Sequence, residues 1–249
     1  PWEGASFLGT TDVDHDADID KEPVMSRHEA LYLMDGFKWA FPDIKLSIKD
    51  GISTIAGVRP VLSSGKRDPS QESREHVVWK DKGLVTVTGG KLTTFRTLAS
   101  DTLNAAKPFM RVKKSPMLHI PLFDQTPCPC TCPYHDLATD VWKRLWGRYG
   151  TEALALVKNA KSEDLTQIPK TAYLWAELSH EAAQGQVRTL QDLLMRRVRI
   201  GLILPFDGQE HFKRIKQLCQ PALGWDDHHF EQEIARYREF WQTAHRVPV

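Results

Sequence analysis

Five residues carry most of the chemistry that this chain offers: Arg59, Arg74 and Lys91, with Gly89 and Gly90. Leu84 to Thr88 reads as a strand, Gly89-Gly90 as a turn, and the residues from Lys91 to Ala106 as a helix stopped by Pro108. A strand-to-helix turn of this kind aims free backbone N–H groups and the positive end of the helix dipole at one spot. Glycines let a ligand approach the backbone, and Lys91 adds a formal charge. The turn therefore suits something electron-rich; the plain alternative is a tight turn with a solvated lysine. Arg59 lies beside Pro60 at the end of an expected strand, and Arg74 at the entrance to another. A held guanidinium can grip a carboxylate or phosphate with two hydrogen bonds. The competing reading of Arg59 is a surface salt bridge.

The elements expected to position these residues are a small sheet and its flanking helices. Strands are expected at Ala5–Thr11, Ile52–Val61, His76–Lys80 and Leu84–Thr88, with Asp81-Lys82-Gly83 as the hairpin turn between the last two. Ser26 and Glu29 form a capping box that opens a helix running to about Trp39. The helix after Lys91 should bury Leu92, Phe95, Leu98, Ala99, Leu103 and Ala106. Five prolines between Pro116 and Pro133 mark a linker. Beyond it, helices are expected at His135–Trp146, Thr151–Asn159, Ala172–Gln184, Leu190–Leu204, Gly208–Leu218 and His228–His245. The fold class is thus α+β, a partial sheet domain followed by an all-helical C-terminal domain. The expected division is 1–108, a linker at 109–133, and 134–249.

Composition narrows the function. With 33 basic against 32 acidic residues in 249, the chain has no electrostatic footprint for nucleic acid. No apolar run approaches the roughly 18 to 20 residues that span a bilayer. Four cysteines, three crowded at Cys128, Cys130 and Cys132, fit a reducing compartment. Together these features lead to an expectation of a soluble, cytoplasmic protein. The absence of an initiator Met before Pro1-Trp2 leads to an expectation of a piece of a longer protein. The acid-rich stretch Asp12–Glu22 lacks the Gly and Glu of a calcium loop, having Ala17 and Pro23 in those places. The cysteine cluster has no second pair to complete a zinc site, although His119 or His135 could contribute, and no metal is assigned. Arg196, Arg197 and Arg199 beside the Leu190, Leu193, Leu194 and Val198 stripe suit either a membrane or partner surface, or a bundle helix paired with acids on its neighbours.

Four stretches occurring in one order make the motifs specific: Gly9-Thr-Thr-Asp12, Ala56-Gly-Val-Arg-Pro60, Gly89-Gly-Lys-Leu-Thr-Thr94 and Asp192-Leu-Leu-Met-Arg-Arg-Val-Arg199. In these the chain resembles the C-terminal half of FAD-dependent, quinone-linked glycerol-3-phosphate dehydrogenase, over nearly its whole length. The resemblance implies oxidation of sn-glycerol 3-phosphate to dihydroxyacetone phosphate by hydride transfer to flavin, with electrons passed to quinone at a membrane surface. It implies that Arg59, Arg74 and Lys91 bind substrate, with Arg59 and Lys91 at the reacting centre. It also implies that Gly89, Gly90, Lys91, Leu92, Thr93 and Thr94 face the flavin. Peripheral association with the cytoplasmic membrane follows, and a homodimer is compatible with it. The departures matter as well. No Gly-x-Gly occurs in the chain, so the ADP-binding half of an FAD site is missing, and the family's candidate basic histidine would lie upstream of Pro1. This piece alone is expected to be inactive. Two rivals remain: a glycerol-3-phosphate oxidase using oxygen, and a non-catalytic helical docking module for a partner or membrane surface.

Overall fold

The computed structural model describes residues 1–59, 75–111, 121 and 125–249. The chain divides into two compact units, one of Pro1–Thr11, Asp18–Gly57 and Thr126–Val249, the other of Asp12–Ala17 and Val58–Gln125. The segments 1–11 and 18–57, expected within the sheet portion, thus group with the C-terminal helices.

The larger unit is helical. Helix α1 (Arg27–Ala40) begins at the expected capping box: the Glu29 amide donates to Ser26 Oγ at 3.2 Å and the Ser26 amide to Glu29 Oε2 at 2.9 Å. Helices α3 (Thr139–Tyr149) and α4 (Glu152–Asn159) bury Trp142, Leu145, Ala153, Leu156 and Val157 against Leu174 and Ala176. The cysteine loop joins this cluster, with Cys128 and Cys132 packed against it and the Trp142 indole donating to the Pro129 carbonyl at 2.9 Å. A second, larger core gathers α5 (Trp175–Gln184), α6 (Phe212–Leu223) and α7 (Asp227–Ala244) around Tyr173, Leu178, Leu193, Ile215, Phe230 and Tyr237. In that core burial pushes the Cys219 thiol up to about 12, well away from reactive thiolate character.

Several boundaries differ from expectation for identifiable reasons. Helix α5 starts at Trp175 rather than Ala172 because Ile168 donates its amide to the Tyr173 carbonyl at 2.8 Å, holding Tyr173 in an extended strap. The long helix expected over Leu190–Leu204 breaks. A π-helix at Asp192–Arg197 closes with the Val198 amide bonded to the Leu193 carbonyl, and Arg199 turns left-handed at φ 61°. Near the break the Gly201 carbonyl, which faces Pro205 one turn on and so lacks a backbone donor there, accepts from the Trp241 indole at 2.7 Å. Likewise α6 starts at Phe212, after a left-handed turn at Asp207 and Gly208.

The arginines of this stretch are engaged with the protein. Arg196 pairs with Asp192 at 2.7 Å, Arg197 Nε donates to the Gly185 carbonyl at 2.5 Å, and Arg199 donates to Glu3 Oε1 at 3.0 Å. Arg199 also lies over the Trp2 ring, 5.5 Å from its centroid, while Arg148 reaches Glu3 and the Tyr173 hydroxyl. Burial pushes the Tyr173 phenol up to about 12, so it stays protonated among these cations.

Two expected strands do not form. Ala5–Thr11 contributes only an isolated bridge between Trp2 and Ala5, and the described part of Ile52–Val61 forms no ladder. Both have apolar β-type composition, but a strand exists only through a partner, and no described segment runs alongside either. Instead Thr54 is clamped singly. Its amide donates to the His245 carbonyl at 2.8 Å and its carbonyl accepts from His245 Nδ1 at 2.7 Å. A carbonyl can only accept, so Nδ1 carries the proton. Ser53 adds a bond to the Leu202 carbonyl at 2.6 Å.

The smaller unit contains a single described sheet, a two-stranded antiparallel hairpin of β1 (Val77–Asp81) and β2 (Leu84–Thr88) in register Val77 to Thr88. Its turn, Lys82 and Gly83 with φ 44° and 85°, has the two left-handed residues of a type I′ hairpin. Helix α2 (Phe95–Ala106) follows a 3₁₀ turn at Leu92–Thr94. The expected buried face is only partly covered: Leu92 is 90% exposed and Phe95, Ala99 and Leu103 are exposed, whereas Leu98 and Ala106 are half-buried. Among the described residues the hairpin packs against α2, with Leu98 close to Gly90. Among the described residues no flavoprotein sheet beyond this hairpin is seen; they form a mainly helical structure with one two-stranded sheet.

Candidate functional site

The Gly-Gly-Lys turn is built as the sequence requires. Gly89 and Gly90 adopt φ of 76° and 88°, a conformation open to glycine and strained for other residues. Space forbids a side chain too: a Cβ on Gly89 would lie 2.7 Å from the Glu75 carbonyl oxygen, and one on Gly90 2.9 Å from Leu98 Cδ1. We expect Gly89→Ala to cost about 1 to 3 kcal/mol and to open the hairpin locally. Hydrogen exchange would then quicken at the β2 amides and leave the helical unit unchanged; unaltered β2 protection would contradict the turn geometry.

Lys91 caps the 3₁₀ turn. Its carbonyl accepts from the Thr94 amide at 3.0 Å and from Thr94 Oγ1 at 3.1 Å, while the Lys91 amide donates to Thr94 Oγ1 at 3.3 Å. Thr94 is therefore occupied in fixing the helix start. The amides of Leu92 and Thr93, first in their helix, have no carbonyl one turn earlier to donate to. Lys91 is exposed and forms no ion pair among the described residues. Unpartnered amides, a positive helix end and an uncompensated ammonium converge here, an arrangement that attracts an electron-rich edge.

Arg59 is placed differently from the open anion grip. Its Nη1 donates to Asp12 Oδ2 at 2.8 Å, and both side chains are partly exposed. Arg74 lies outside the described residues. The three-cation pocket drawn from sequence is thus represented by the Lys91 turn and by Arg59 with its carboxylate partner. Among the described residues no cluster of three or more His, Cys, Asp or Glu side chains forms a metal-holding group.

Two contacts were not visible in the sequence. His76 Nε2 lies 3.0 Å from Asp101 Oδ2, tying the entrance of β1 to the middle of α2 beside Gly90. The Thr54–His245 clamp is the other. Neither pair has a local signal, since each joins segments with no shared periodicity.

The model of one protein family, the C-terminal domain of alpha-glycerophosphate oxidase, matches residues 88–230, from the end of β2 through the turn and into α7. The chain belongs to this family. Similar over 96% of this chain and 35% of its own length is the mitochondrial glycerol-3-phosphate dehydrogenase of Bos taurus, 28% identical. The corresponding protein of Homo sapiens is 27% identical over the same shares. Glycerol-3-phosphate dehydrogenase 2 of Mycobacterium tuberculosis (strain ATCC 25618 / H37Rv) is 29% identical over 95% of this chain and 42% of its own. As a member of the alpha-glycerophosphate oxidase C-terminal family, the chain spans between about a third and two-fifths of the length of these curated relatives. The resemblance carried by the four motifs agrees with their names. No helix among the described residues is long and apolar enough to cross a membrane.

Proposed function

We propose that this chain is the C-terminal portion of an FAD-dependent oxidoreductase that converts sn-glycerol 3-phosphate to dihydroxyacetone phosphate and delivers the electrons to quinone at a membrane surface. The observation that supports it best is the Gly89-Gly90-Lys91 turn: close backbone access, free helix-start amides and an unpaired lysine within the family match. These residues fit one edge of a flavin, whereas the adenosine half requires a glycine-rich strand-to-helix turn that this sequence lacks. FAD, when bound, supplies the hydride acceptor. Gly89, Gly90, Leu92, Thr93 and Thr94 shape the edge that receives it, and Lys91 stabilises the negative charge that accumulates there. Arg59, with Arg74, holds the substrate phosphate and alcohol in register.

Anaerobic bleaching of the flavin by sn-glycerol 3-phosphate, in the full-length polypeptide, tests the assignment. Absence of bleaching in protein that retains FAD would remove glycerol 3-phosphate as substrate. The chain alone, supplied with FAD, is expected not to bleach. Lys91→Ala should slow flavin reduction by about 10²- to 10³-fold, the scale for losing one group aimed at developing charge, with FAD still retained. Loss of FAD with normal reduction of the remainder would make Lys91 a cofactor anchor instead. The family model takes its description from an oxidase, which favours oxygen as the competing acceptor. Peroxide formed under air at the rate of substrate oxidation would establish that alternative.

A further inference from the structure

The contact between Arg59 and Asp12 joins the last residue of one motif, Gly9-Thr-Thr-Asp12, to the arginine of another, Ala56-Gly-Val-Arg-Pro60, across 47 positions. We propose that Asp12 is a positioning residue for substrate, holding the Arg59 guanidinium so that its remaining edge faces the anion. The proposal rests on the substrate role given to Arg59 above.

The geometry supports division of labour within one guanidinium. Of its five N–H donors in a rigid plane, one on Nη1 points to Asp12 Oδ2 at 2.8 Å. Nε and Nη2 make no bond among the described residues, so the edge they form stays available for a two-point grip. Fixing one corner of a planar fork fixes the direction of the rest, and this removes the rotamer freedom that a long arginine side chain would lose on binding. The pair is too exposed to matter much for folding: the side chains retain 48% and 31% of their accessibility, and such pairs contribute little to stability. Its effect should fall on substrate affinity.

The test is steady-state kinetics with sn-glycerol 3-phosphate in the full-length flavin-containing polypeptide, alongside a thermal melt of each variant. Asp12→Ala is expected to raise KM about 10-fold or more while changing kcat far less, because misplaced binding groups act through geometry. Asp12→Asn, which keeps an oxygen acceptor, should restore most of the loss. Asp12→Glu keeps the charge but displaces the carboxylate by one methylene, and should fall between. Combining Asp12→Ala with Arg59→Ala should add nothing to Arg59→Ala alone. The melting temperature should remain unchanged throughout. If Arg59→Ala weakens substrate capture but Asp12→Ala and Asp12→Glu do not, the positioning role is overturned and the substrate assignment stands. A fall in KM for Asp12→Ala would also overturn it, showing that the carboxylate occupies the anion's place. If Arg59→Ala leaves KM unchanged, the substrate assignment itself fails and the positioning role falls with it.

Discussion

Arg59→Ala, made in the full-length flavin-bearing polypeptide, is expected to lower kcat/KM for sn-glycerol 3-phosphate by about 30- to several-thousand-fold, equivalent to about 2 to 5 kcal/mol. The range is that of truncating one partner of a desolvated charge pair. The upper part applies if the assembled site excludes water around the guanidinium, the lower part if it stays as open as it is here. Arg59→Lys should recover only part of the loss, since an ammonium keeps the charge but not the planar two-point grip. Stability should hardly change, because the contact that is removed is a partly exposed pair with Asp12. Kinetics indistinguishable from the parent would take Arg59 out of the site and leave the Lys91 turn as its main support.

The second large effect concerns the frame. Glu177→Ala should destabilise the helical unit by about 3 to 5 kcal/mol, the cost of breaking a buried ion pair from one side. Glu177 is fully buried at the start of α5, and its carboxylate accepts from Arg144, from the Tyr149 hydroxyl at 3.1 Å and from the Leu174 amide at 2.7 Å. It therefore caps α5 and fastens it to α3 with the same two oxygens. Without it, the three donor groups lose their acceptor, and the Leu174 amide among them is buried. For a domain of this size the melting temperature should drop by roughly 6 to 20 °C. Glu177→Gln, which retains an acceptor for some of these donors, should lose about half as much. A parental melting curve for Glu177→Ala would mean that packing alone holds α3 against α5.

What the sequence disclosed about this fold follows the range of the interactions involved. The capping box at Ser26 and Glu29, the Lys82-Gly83 turn and the glycines at 89 and 90 are local devices, and each stands where it was read. Helices α3, α4 and α7 carry their own periodicity and lie within a few residues of the expected bounds. The strands at Ala5–Thr11 and Ile52–Val61 depended on partners, and composition cannot supply one. The break at Arg199 was hidden because the contacts made there come from far along the chain, Glu3 on the Arg199 guanidinium and Trp241 on the Gly201 carbonyl. The site divides in the same way. The turn and its lysine were legible because conformation selected glycine there. Whether Arg59 met an acid or an open pocket depended on Asp12, which no spacing rule connects to it.

The clamp between Thr54 and His245 links positions 191 residues apart, so chain order dictates when it can close. At a synthesis rate of about 5 to 20 residues per second, His245 is made roughly 10 to 40 s after Thr54. For that interval the backbone groups of Thr54 must be satisfied by water or by a temporary partner. The helices from α3 to α6 can pack in the meantime, because their contacts lie within already completed sequence. The segment around Thr54 is therefore secured late: a chain ending between Leu223 and His245 would keep α3 to α6 but hold this segment only through the Ser53 bond to the Leu202 carbonyl, without the Thr54 clamp.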